Sequence, residues 1–195
     1  MLYKFLKPIV KFILHIFFRF DIEGLENIPT DKSVLLCSNH ISVLDFAFIG
    51  AHIKPSISYL GKSEISKFKP LYLFLKALGF IPIRRGKSDV NAIKNVIHTI
   101  ECGRSVLMFP QGTRKKEMKI SDTVFKHGAS LVQKKAQCDV IPISITAKKM
   151  KATLFSKITI KIGKVISSDS LVKLTDADSS QLIKKQISQL AGEML

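Results

Sequence analysis

The stretch Ser38-Asn39-His40-Ile41-Ser42-Val43-Leu44-Asp45 sets an imidazole and a carboxylate five positions apart, where an apolar run gives way to polar residues. A carboxylate that fixes a histidine in one tautomer and stabilises the imidazolium makes that histidine a general base. The spacing imposes a condition. On one continuous helix, five residues turn the two side chains about 140° apart. His40 therefore has to lie in a loop ahead of a helix capped by Ser42, from whose third position Asp45 reaches back. The same residues also read as a structural device: Ser42-x-x-Asp45 has the pattern of a capping box, and an acid in a first turn suits the helix dipole. On sequence alone the two stand level.

Three further clusters end apolar runs in the same way. In Gly79-Phe80-Ile81-Pro82-Ile83-Arg84-Arg85-Gly86, two guanidinium forks stand beside a glycine, an arrangement that holds a phosphate bidentately and is also that of a solvated basic turn. In Phe109-Pro110-Gln111-Gly112-Thr113-Arg114, a backbone N–H, a hydroxyl and a guanidinium are available to one phosphoryl group, although an ordinary Pro-Gly loop has the same make-up. The last, Val140-Ile141-Pro142-Ile143-Ser144, is apolar and reads as core. No G-x-S-x-G elbow occurs, so nothing marks a serine nucleophile.

The elements that must position these groups follow from hydrophobic patterning. Strands are expected at 33–38, 57–60, 80–84, 106–109, 140–146 and 158–162, and helices at 42–53, 68–78, 90–101, 125–137 and 179–194, with a turn at 21–24. Strand followed by helix, repeated, predicts an α/β fold: a largely parallel central sheet flanked by helices. In such sheets ligand groups gather beyond the carboxyl ends of the strands, which is where the first three clusters fall.

The chain has 195 residues, 46% of them hydrophobic and 24% charged, enough for one domain with a real core and too apolar for disorder. Its formal charge of +16 calls for an anionic partner. Without tryptophan, helix-turn-helix or RNP-like motif, nucleic acid is not the expected one; an anionic phospholipid membrane is. Residues 2–20 support this. Lys4, Lys7, Lys11, His15 and Arg19 recur every three or four positions along one stripe of a helix whose remaining surface is Leu, Ile, Val and Phe. Spanning the bilayer would cost about 2.5–3.5 kcal/mol for each cation near its centre, so a helix lying in the interface is favoured; a core helix with a solvated face is the other reading. The expected organisation is thus an amphipathic membrane anchor at 1–20 and a catalytic domain at 21–195, on the cytoplasmic face of a membrane. Cys37, Cys102 and Cys138 form no C-x-x-C and read as buried reduced thiols.

Taken in order and spacing, the four clusters resemble the glycerolipid acyltransferase family, most closely the 1-acyl-sn-glycerol-3-phosphate (lysophosphatidic acid) acyltransferases. Those proteins carry N-H-x-S-x-x-D, a G-x-I-x-x-x-R-type block, F-P-E-G-T-R and a V-P-V-type strand, matched here at 39–45, 79–85, 109–114 and 140–143. Phe125-Lys126-His127-Gly128-Ala129 is similar to the family's F-K-x-G-A. The resemblance implies transfer of a fatty acyl group from acyl-CoA or acyl-acyl carrier protein to the sn-2 hydroxyl of lysophosphatidic acid. It implies His40 as base with Asp45 as its partner, and Arg84 or Arg85 with Gly112, Thr113 and Arg114 on the acceptor's phosphate. No metal or redox cofactor is implied, the thioester being a co-substrate. A lyso-ornithine lipid or glycerol-3-phosphate is the alternative acceptor, and a non-catalytic basic module that binds membrane or nucleic acid is the competing reading of the whole chain. Asn39 stands beside the base without an assigned role. Gln111 replaces the family's usual glutamate, keeping its size and its hydrogen-bonding oxygen but not its charge.

Overall fold

The short apolar runs pair with one another because they have no polar face to offer water: β2 (Leu35–Ser38) and β5 (Val106–Met108) are buried at every position. The computed structural model describes residues 2–54, 56–84 and 89–193. Its seven-stranded sheet has the order β1-β7-β6-β2-β5-β3-β4, with β1 (Arg19–Glu23), β3 (Ser58–Lys62), β4 (Phe80–Ile83), β6 (Val140–Ala147) and β7 (Lys157–Ile162) completing it. Every pairing is parallel except β6 with β7. One face is covered by α1 (Leu2–Phe17), α2 (Asp45–His52) and α3 (Lys69–Ala77), the other by α4 (Val90–Glu101), α5 (Gly128–Ala136), the short α6 (Ser168–Val172) and α7 (Asp176–Leu190). The expected α/β architecture is the one found, and β2 and β5 lie side by side at its centre.

Several boundaries differ from the patterning. The helix expected through Phe20 ends at Phe17, and the residues expected to turn belong to β1. Phe20 and Ile22 pack on the core while Asp21 and Glu23 meet Lys157 and Lys161 of β7 at 2.7 and 3.2 Å, an alternation hidden because its partner strand lies far along the chain. α5 starts at Gly128 rather than 125, and α7 starts at Asp176, earlier than expected. Met194, at the end of that expected helix, lies outside the described residues. Cys37 and Cys138 are buried, with burial pushing the Cys138 thiol up to about 11 and that of Cys37 further. Cys102 is the exception: it caps the end of α4 on the solvent side, exposed, its sulfur 3.6 Å from Nε2 of His98.

α1 holds α2 from outside, and here the cationic stripe divides. Val10, Leu14 and Phe18 pack inward, Phe18 edge-on against Phe48 of α2. Lys7 turns inward too, donating from Nζ to the carbonyls of Ile53 and Lys54, so it satisfies the end of α2 and does not join an outer stripe. His15 meets His52, Nε2 to Nε2, at 3.0 Å. Lys4 and Lys11 stay exposed, as do Phe5, Ile9, Phe12, Ile13, Ile16 and Phe17. Among the described residues no helix is long and apolar enough to cross a membrane.

The histidine pair makes this docking sensitive to pH. His52 donates from Nδ1 to the Phe48 carbonyl, 2.6 Å away, which leaves its Nε2 to accept from His15. Burial holds the His52 imidazole below its ordinary value, and Lys11, His15 and Lys7 push the same way against the Phe48 hydrogen bond. A depressed folded-state value means that the unfolded chain binds the proton first, so the contribution is complete above the unfolded value of about 6.5 and is lost as pH falls below it. Thermal unfolding at about pH 7.5 and 5.5 checks this: the wild-type midpoint should fall more between the two than that of His52→Gln.

Candidate active site

The end of β2 is extended by a side chain. The β2–β6 ladder runs to Ser38 opposite Ile143, and the Asn39 amide then bonds both main-chain groups of Ile145, donating to its carbonyl and accepting its N–H, each at 2.8 Å. Asn39 thereby takes the place of a further strand residue and fixes where the chain leaves the sheet. His40 is the next residue, in the loop that the five-residue spacing demanded.

Asp45 opens α2, buried completely, and its Oδ2 accepts three hydrogen bonds: from His40 Nδ1 at 2.7 Å, from the Ile41 N–H at 2.7 Å and from the Ser42 N–H at 2.9 Å. One oxygen thus serves the imidazole and the main chain together, although the N-cap of α2 is Leu44 and not Ser42 as expected, and no side chain caps it. Asp45 reaches back to the main chain as in a capping box and grips the imidazole as well, while the Ser42 hydroxyl accepts from the Leu44 N–H at 3.2 Å. Helical geometry starts at Asp45 and not at 43. A carboxylate can only accept, so His40 carries its proton on Nδ1 and presents Nε2 as a lone pair. No hydrogen bond among the described residues uses that Nε2. The ring is stacked on Phe109, centroids 4.2 Å apart and planes within 15°, which sets its orientation from the neighbouring β5.

The segment after β5 grips the His40 main chain at both ends. Gln111 Oε1 accepts the His40 N–H at 2.7 Å, and the Lys115 N–H donates to the His40 carbonyl at 2.8 Å. Between them, Phe109-Pro110-Gln111-Gly112 forms a turn closed by the Gly112 N–H on the Phe109 carbonyl at 2.9 Å, after which Gly112 is left-handed, with φ of 70°. That N–H is spent, so Gly112 does not offer it to an anion as the sequence had suggested. The N–H groups of Thr113 and Arg114 have no partner among the described residues, and both residues are exposed.

Gln111 is buried, and its amide explains its presence. While Oε1 accepts from His40, Nε2 donates to Thr123 Oγ1 at 2.9 Å, and the single Thr123 proton goes to the Ile120 carbonyl at 2.7 Å. A carboxylate could not make that donation. Its partners are a main-chain N–H and a threonine, not the arginines.

Arg84 stands at the end of β4, its N–H held by Asp89 at 2.8 Å and its side chain 75% exposed. The N–H groups of Arg84 and Ala92 keep the Asp89 carboxyl below the usual carboxylate range. β3 separates β4 from β5, which puts Arg84 about 10 Å across the sheet from the strand that carries Thr113 and Arg114. Arg85 lies outside the described residues. Lys126 is a cation that sequence reasoning passed over. Its N–H donates to the Pro110 carbonyl at 2.9 Å and its side chain runs along Gly112, where an added Cβ would stand 3.3 Å from Nζ. The only signal for it was its place in the Phe125-to-Ala129 block.

A family model described as Acyltransferase matches residues 19–146, from the first residue of β1 to the penultimate residue of β6, and so spans all of these groups. The chain belongs to the acyltransferase family. A chloroplastic 1-acyl-sn-glycerol-3-phosphate acyltransferase of Arabidopsis thaliana is 32% identical over 132 residues, covering 66% of this chain and 36% of its own length. The chain thus spans little more than a third of that relative. The 1-acyl-sn-glycerol-3-phosphate acyltransferase of Bacillus subtilis is 26% identical over 99% of this chain and 96% of its own. Among solved structures, the PlsC 1-acyl-sn-glycerophosphate acyltransferase of Thermotoga maritima superposes with a TM-score of 0.77 at 20% identity, covering 99% of this chain and 81% of that one, a likeness of fold.

Within this family member, Gln111 is a structural partner of the histidine. Gln111→Leu leaves the His40 N–H and the Thr123 hydroxyl without it in a buried site, and should lower unfolding stability by about 1–3 kcal/mol. Urea denaturation measures it. Gln111→Glu should recover stability only at low pH, where a protonated carboxyl can donate to Thr123.

Proposed function

We propose that this protein transfers a fatty acyl group from a thioester, acyl-CoA or acyl-acyl carrier protein, to the sn-2 hydroxyl of lysophosphatidic acid, giving phosphatidic acid. The observation that carries the proposal is the His40–Asp45 pair, held at the carboxyl end of β2 with Nε2 directed away from the carboxylate. Nε2 takes the proton from the acceptor hydroxyl as its oxygen adds to the thioester carbonyl. Asp45 stabilises the imidazolium so formed. The tetrahedral intermediate then collapses, the carbon–sulfur bond breaks, and the thiolate leaves with the proton that His40 carries. No covalent enzyme intermediate is needed.

The acceptor's phosphate meets Arg114 and the N–H groups of Thr113 and Arg114, with Gly112 shaping the turn, Lys126 beside it, and Arg84, which follows β4, or Arg85 as a further cation. On this reading α1, the helical part of the expected anchor at 1–20, docks the enzyme on the cytoplasmic face of an anionic membrane: the outward Phe5, Phe12 and Ile16 enter the interface while Lys4 and Lys11 stay among the phosphates. Residues 21–195 with the start of β1 form the catalytic domain.

Purified protein given thioester and lysophosphatidic acid should release free thiol. His40→Ala should lower that rate about 10²–10⁴-fold without loss of folding, and undiminished turnover would refute the base. In Asp45→Asn the two main-chain N–H groups keep an oxygen facing Nδ1, so the tautomer survives and only the charge is lost. That variant should stay folded and fall short of wild type in kcat more than in KM. Arg114→Ala should act chiefly on KM for the phosphate-bearing acceptor.

A further inference from the structure

The outer side of α3 has no counterpart in the core. No residue of this helix is fully buried, and only Tyr72 and Leu75 turn onto the sheet. Leu73 is 63% exposed, as is Phe68 immediately before the helix, with Leu71 and Phe74 nearly half exposed. At about 100° per residue Leu71 and Leu73 stand about 160° apart with Pro70, Phe74 and Ala77 between them, so the exposed apolar side chains form a broad outward arc, preceded by Phe68 at the N-cap. Lys69 and Lys76 border this arc on its Leu73 side and Lys62 and Lys67 lie just before the helix, all four exposed, and Glu64 is the only acid between residues 62 and 77.

We propose that this face of α3 is a second lipid-contacting surface, separate from α1, that sets Phe68, Leu71, Leu73 and Phe74 into an anionic phospholipid surface with the four lysines at headgroup level. The partner follows from the chemistry. An apolar arc bordered by cations matches an interface that is apolar within and negative at its rim. A second copy of the chain would set the same lysines against each other, and phosphodiester backbones offer nothing to outward Leu and Phe side chains. α3 covers the same face of the sheet as α1, since Val10 of one and Tyr72 and Leu75 of the other pack on one core cluster. The chain also enters α3 from the carboxyl end of β3, the edge from which Arg84 leaves β4, so the arc begins beside the region proposed to receive the acceptor. The inference stands on the surface of α3 and requires neither turnover nor binding by α1.

The chain contains no tryptophan, so Leu73→Trp introduces a single fluorophore into the intact protein. Vesicles containing phosphatidylglycerol should shift its emission to the blue, and bromines on the lipid acyl chains should quench it, with little response to pure phosphatidylcholine. Phe68→Ser with Phe74→Ser should weaken co-sedimentation with the anionic vesicles by about tenfold or more at low salt, with the circular dichroism spectrum unchanged. Three results would overturn the proposal: a tryptophan that stays water-exposed while the protein co-sediments, which assigns the binding to α1 alone; a blue shift without lipid that grows with protein concentration, which assigns the face to a second copy; and no co-sedimentation at all. Thiol release from detergent-dispersed lysophosphatidic acid, measured on the same variants, reports separately on acyl transfer.

Discussion

One carboxylate oxygen organises the site. Oδ2 of Asp45 takes three donors, two from the main chain and one from the imidazole, so the bend that carries the chain from β2 into α2 and the state of His40 are set by the same atom. Its companion Oδ1 is buried without a hydrogen-bond partner among the described residues. A buried carboxylate is costly unless its charge is answered. Here the answer is concentrated on one side, and the side it favours is that of the histidine. Loop geometry and proton bookkeeping are therefore a single constraint: a chain that lost the bend would lose the tautomer with it.

The sheet supplies the rest. β2 and β5 are adjacent and buried on both faces, so the groups beyond their ends meet at a fixed separation and have to satisfy one another. They do so through a closed set of buried polar contacts. Asn39 bonds to β6, His40 to Gln111, and Gln111 to Thr123 and through it to Ile120. Such networks rigidify when complete and are expensive when broken. The cations, by contrast, lie outside this set: Arg114 and Lys126 are exposed, and Arg84 is held through its main chain, its guanidinium no closer than 3.9 Å to Asp89. The region thus has a rigid part suited to proton transfer and a solvated part suited to an anion.

Much of this was legible in the chain. The alternation of apolar runs with helical spacing led to the sheet, and the five-residue step from His40 to Asp45 required the loop that the structure contains. What escaped had no local signature. β1 alternates, but its partner β7 lies some 135 residues on and its first residues complete a helical stripe, so the local pattern pointed the wrong way. Lys7 looked like its fellow cations because sequence cannot tell which of several lysines a neighbouring helix end will claim. Cys102 was assigned by its apolar company, whereas its place at the end of α4 turns it to solvent. The purpose of Gln111 depended on Thr123, twelve residues away and across a loop.

The grip on the His40 peptide has a mechanical consequence. Because its N–H and its carbonyl are both held by residues of one short segment, Gln111 and Lys115, His40 and the turn bearing Thr113 and Arg114 are tied to each other at a fixed separation. An acceptor seating its anion on that turn, as proposed, would meet His40 at a preset number of bonds along its backbone. For the proposed reaction that geometry would act as a calliper: reach from anion to hydroxyl would decide which alcohol reacts, while the tail beyond the reacting carbon would be left unmeasured by this part of the protein.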